Sequence, residues 1–113
     1  VFVNKDLLGG EFHELFIAPL IRDARRMEGV VRYLQGIDWA MVDGFAQRHA
    51  EIQAKTLLVW GQEDQIFPLA RAMPMVGQLK HCVGLKAIAG AALLPHEEKP
   101  AETLDHVLPF LVD

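Results

Sequence analysis

Apolar residues recur at two different periods along the chain, and the change falls near Ile52. Upstream, the spacing is helical. In "FHELFIAPLI" it puts Phe12, Leu15, Phe16 and Leu20 near one face, with Pro19 kinking or restarting the helix. A second helix is expected from Ala24 to Leu34, with Met27, Val30, Val31 and Leu34 as its apolar stripe and Gly36 as its stop. A third follows the N-cap candidate Asp38 and carries Trp39, Val42, Phe45, Ala46 and His49 inward.

Downstream the pattern becomes strand, helix, strand, helix. "TLLVW" is a continuous apolar run ended by Gly61, which predicts a strand buried on both faces. Residues 68 to 79 suit a helix made short or irregular by Pro74 and Gly77. "GLKAIAG" predicts a second strand, and Pro100 opens a final helix through Thr103, Leu104, Val107, Leu108 and Leu111. This alternation implies a parallel strand pair joined by a right-handed crossover. The expected fold class is α/β: a partial doubly wound sheet with a C-terminal β-α-β-α unit of parallel strands, preceded by short amphipathic helices. The expected segments are 1–51, helical, and 52–113, the β-α-β-α part.

Composition narrows the function classes. The chain has 113 residues, 51% of them hydrophobic, and suits one small domain with a modest core. A formal net charge of −4, with basic residues scattered apart from Arg22, Arg25 and Arg26, argues against nucleic-acid binding. The single cysteine, Cys82, leaves no internal disulfide and no zinc spacing, so no metal or cofactor is expected and a reducing cytoplasm fits. No apolar run approaches a membrane span, and "VFVNKDLLGG" lacks the features of a signal peptide. The initial valine suggests that an upstream piece was removed or left out.

"IQAKTLLVWGQEDQIFPLARAM", a following strand, and "GAALLPHEEKPAETLDHVLPFL" carry a resemblance. Together they resemble the C-terminal part of an α/β-hydrolase, in the branch of epoxide hydrolases, haloalkane dehalogenases and carbon–carbon bond hydrolases. The shared pattern is a buried strand, a glycine, an acidic loop ending in proline, a helix, a strand, a turn, then "EEKP" and a terminal helix closing on "FL". It covers Ile52 to Asp113. Residues 1 to 51 are similar, more weakly, to the end of the helical cap.

The resemblance implies that Asp64 stands at the triad acid, where a carboxylate orients the catalytic imidazole. As a plain loop residue, Asp64 would instead cap or solvate the strand end. The family's histidine position holds Leu93, and His96 lies three residues on. His96 is the base candidate if the turn is remodelled; otherwise it is a turn histidine beside Glu97 and Glu98. There is no glycine-flanked nucleophile elbow, and the sequence contains no serine. Cys82 beside His81 is a weaker nucleophile candidate than a polar link into a strand. His13 and His49 are expected as packed or partly exposed groups, His106 as a surface group, and Trp39, Val42 and Phe45 as core.

Two readings therefore stay open. In one the chain is part of a hydrolase-like protein, inactive alone, whose nucleophile lies elsewhere. In the other it is a non-catalytic, self-associating binding or scaffold protein. Because "TLLVW" normally pairs on both sides, either reading predicts an oligomer, most simply a homodimer, or a missing half supplied in trans.

Overall fold

The structure, a computed structural model, describes residues 2 to 112. It divides into two compact units, Val1–Asn4 with Phe45–Asp113, and Lys5–Gly44.

The smaller unit is helical. A 3-10 turn at Lys5–Gly9 precedes a π-helical turn, His13–Ile17, and helix α1, Ala18–Arg22. Pro19 explains this sequence of turns. It lacks an N–H and its ring crowds the carbonyl one turn back, so the backbone widens before it, and the Ala18 N–H reaches the carbonyl of His13. Helix α2, Ala24–Gln35, is capped by Asp23, whose carboxylate accepts from the Arg25 N–H at 2.9 Å. Helix α3, Trp39–Asp43, is capped in the same way by Asp38 through the Met41 N–H at 3.1 Å.

The apolar stripe expected to continue from Trp39 to His49 does not exist as one helix. Gly44 ends α3, and α4, Phe45–Arg48, belongs to the larger unit. Trp39, Val42 and Phe45 are 63%, 38% and 43% exposed, so they are not core. Five residues are too few to present a stripe that a core can bury.

The larger unit contains the sheet. Strand β1, Thr56–Gly61, pairs in parallel with β2, Cys82–Ile88, in the register Leu57 to Gly84, Val59 to Lys86 and Gly61 to Ile88. This is a mixed helix and parallel-strand arrangement; no third strand pairs with it among the described residues. The second strand starts at Cys82, two residues before the expected Gly84, because the pairing continues past a register irregularity between Thr56 and Leu57. Cys82 is thus the first residue of the strand rather than part of a link.

The connection is not one helix over 68 to 79 but two short ones, α5, Leu69–Ala72, and α6, Met75–Gln78, separated at Pro74. A helix absent from the sequence reading, α7, Pro95–Glu98, precedes the terminal helix α8, Pro100–Val112. Helix α5 packs on β1, α6 on β2, and α8 on both strands.

β1 is not buried on both faces. Residues Thr56 to Trp60 are only half-buried, and Gly61 alone is buried. Short covering helices and a sheet of two strands leave its flanks accessible. The strongly buried apolar positions of this unit are Phe2 and, toward helix ends, the end of β2 and the loop beyond it, Ala72, Leu79, Ile88, Ala91 and Ala92.

Candidate functional site

In a parallel sheet, loops leaving the C-terminal ends of adjacent strands lie side by side, and ligands characteristically bind there. The loops after Gly61 and after Ile88 occupy this position. Backbone and side-chain bonds tie them together. The Gln62 N–H donates to the Ile88 carbonyl at 3.0 Å and the Glu63 N–H to the Ala91 carbonyl at 3.0 Å. The Glu63 carboxylate accepts from the Ala91 N–H at 3.1 Å, closing a reciprocal clamp.

Asp64 sits inside this clamp and is 7% exposed. Its Oδ1 accepts from the N–H groups of Ile66 at 2.8 Å and Phe67 at 3.0 Å. Two donors on one carboxylate oxygen form an Asx-type turn that holds the loop in its bend. The carbonyl of Phe67 in turn accepts from the Trp60 indole N–H at 2.7 Å, so the far end of the loop is fastened to β1. Asp64 therefore lies in the loop beyond β1 and has a definite local role in shaping it.

The opposing turn is held by Glu98. One carboxylate oxygen accepts from the Ala92 N–H at 2.6 Å; the other accepts from the N–H groups of Val3 and of Asn4, the latter at 3.0 Å. Gly90 adopts φ +71°, the left-handed conformation that favours glycine. Thr103, buried, donates its hydroxyl to the Pro95 carbonyl at 3.1 Å and fastens α8 to the start of α7.

His96 lies on α7 with its side chain largely exposed, its Nε2 3.9 Å from a Glu97 oxygen. It shares neither a hydrogen bond nor an ion pair with Asp64. Leu93, half-buried in the turn, has no group that moves a proton. The other candidates have partners outside this pair of loops. His13 approaches Glu14 at 3.4 Å in the helical unit. His49 Nδ1 lies 2.9 Å from Gln78 Oε1. The Cys82 thiol points to the Gly84 carbonyl at 3.5 Å. The sequence reading missed Glu63 and Glu98 as organisers of the two loops; their signal was an acidic residue one position from Asp64 and another within "EEKP".

A cavity of about 490 Å³ elsewhere in the larger unit is lined by Phe45, Arg48, His49, Glu51 and Ile52, and neither Asp64 nor His96 contributes to it. Among the described residues no cluster of His, Cys, Asp and Glu is arranged to hold a metal ion, and no helix is long and apolar enough to cross a membrane. Comparison with protein-family models, curated proteins and solved structures finds no match.

Proposed function

We propose that this chain forms the C-terminal end of an α/β-hydrolase-like sheet, supplying the acid-bearing loop of a catalytic site while lacking the groups that attack a substrate. The observation that carries this reading is the buried carboxylate of Asp64 in the loop beyond a parallel strand, clamped beside the turn beyond the neighbouring strand. An acid there orients a base presented by the adjacent turn. In this chain that turn offers Leu93, while His96 faces solvent and Glu97. With no serine, no elbow and no oriented base, the chain alone does not hydrolyse esters, epoxides or haloalkanes.

Completion of the sheet takes place along β1. Strand β2 carries Lys86 and the positive-φ residue Gly84, features that blunt an edge, whereas β1 has an uninterrupted apolar run from Leu57 to Trp60 and no charged residue from Thr56 to Gly61. The simplest completion is a homodimer through β1; the alternative is a separate segment that supplies the missing strands. The second reading, a non-catalytic self-associating binder, draws on a different observation: Leu15, Phe16, Tyr33, Leu34 and Trp39 in the helical unit are all more than half exposed.

The test combines assembly and activity. Sedimentation equilibrium is expected to give a dimer, and a panel of ester, epoxide and haloalkane substrates no turnover above buffer. Turnover by the purified chain that disappears in Asp64→Asn would refute the inactive reading. A strict monomer at high micromolar concentration would refute the open-edge argument.

A further inference from the structure

We infer that the cleft between the sheet and α8 is a binding site for a small anionic amphiphile, a short apolar body ending in a carboxylate or phosphate head. The cleft has a volume of about 280 Å³ and is lined by Lys55, Leu57, Val83, Lys86, His106, Pro109 and Phe110. It belongs wholly to the larger unit and is formed by residues other than those of the Asp64 loop.

Its chemistry is divided. Leu57, Val83, Pro109 and Phe110 make an apolar floor, while Lys55, Lys86 and His106 bring basic groups to its wall. Among the described residues no acidic side chain lines it, in a chain whose formal charge is −4. Two lysines meeting at one cleft on an acidic protein focus positive potential there, and His106 adds a ring N–H that can donate to an anion. The Lys55 ammonium stands 5.3 Å from the centroid of the Phe110 ring, so the ring face fixes a positive end beside the apolar floor. Lys86 and His106 form no ion pair among the described residues, which leaves their polar groups to an incoming anion. Lys86, at the strand position paired with Val59, lines the cleft and is exposed; a lysine so placed can lay its apolar stem along the floor and keep its charge in water. Ligand pockets of about 300–1,000 Å³ combine an apolar lining with a few polar groups that fix orientation; at about 280 Å³ this cleft falls just below that range, in keeping with a short ligand.

The test uses octanoate, octyl phosphate and the neutral octanamide, each titrated into the 15N-labelled full chain below its aggregation concentration. Octanoate and octyl phosphate are expected to shift the amides of Leu57, Val83, Lys86, His106 and Phe110, and the tighter of the two identifies the preferred head. Octanamide should bind at least about threefold more weakly, since an exposed ion pair contributes only that order of affinity. Lys86→Gln, a surface change, should lower affinity for the anions about threefold and leave octanamide unaffected, and Lys86→Arg should restore most of the loss. Equal binding of octanamide and octanoate would overturn the inference. So would shifts confined to other residues, or anion affinity unchanged in Lys86→Gln.

Discussion

Gly61 lies so close to Ala92 that a Cβ built on the glycine would stand 1.8 Å from the Ala92 carbonyl oxygen and 2.6 Å from that of Ala91. Glycine is required here for space, since its φ is not in the left-handed region. The end of β1 and the turn after β2 can meet only because one of them has no side chain, and this approach places the Glu63 clamp and the Asp64 loop.

Gly61→Ala should therefore be severe. The obstructing atoms are backbone, so relief requires the two loops to separate; a loss of about 2–4 kcal/mol is expected by urea denaturation. Gly29→Ala is the matched control. Gly29 lies inside α2 with nothing within 4 Å of its added Cβ, and the change should stabilise the helical unit by about 0.5–1 kcal/mol.

Glu98 gathers three backbone donors from two distant stretches of chain, Ala92 on one oxygen and Val3 with Asn4 on the other. Glu98→Gln keeps one acceptor and turns the other into a donor that faces an N–H group. A loss of about 1.5–3 kcal/mol is expected, the range for hydrogen bonds to a charged group. Amide exchange should quicken at Val3 and Asn4 while Ala92, with its 2.6 Å bond, keeps its partner.

Thr103→Val removes the hydroxyl that joins α8 to Pro95 while keeping the side chain's shape. The Pro95 carbonyl also accepts from the Lys99 N–H at 2.8 Å, so it retains one partner when the hydroxyl is lost. The loss should stay near about 1 kcal/mol, seen as a lower thermal midpoint, and Thr103→Ser should recover most of the hydrogen-bond contribution.

The parallel pair was legible in the sequence because "TLLVW" and "LKAI" are short apolar runs beside glycines, and two helix starts because Asp38 and Pro100 carry local start chemistry. Burial was not legible. A run such as Leu57 to Trp60 states what a residue prefers, whereas its exposure depends on how much sheet and helix surrounds it, and here β1 has one neighbouring strand and short covering helices. The stripe from Trp39 through Phe45 failed for a nearer reason: Gly44 stops the helix that was to align it. Asp64 was singled out by the resemblance, while the local pattern of a carboxylate just beyond a strand pointed only to a loop-capping residue. Its hold on Ile66 and Phe67, and the part played by Glu98 across 94 residues of sequence, depend on loop conformation that no local period encodes.

Asp64 itself gives the most direct way to separate a shaping role from a catalytic one. Both of its hydrogen bonds converge on Oδ1, an atom that asparagine reproduces as an amide oxygen. Asp64→Asn should cost only about 1 kcal/mol, the difference between a charged and a neutral acceptor, and should leave the Ile66 and Phe67 amides protected from exchange. Asp64→Ala removes the acceptor altogether. Ile66 and Phe67 are exposed enough for water to reach their freed N–H groups, so the loss should fall at about 1–3 kcal/mol rather than higher, with exchange quickening at these two amides first. If a partner supplying a nucleophile and an oriented histidine confers turnover, Asp64→Asn should then abolish most of that turnover while the loop stays folded. Equal activity of the two forms in that assembly would leave the carboxylate with the loop-shaping role alone.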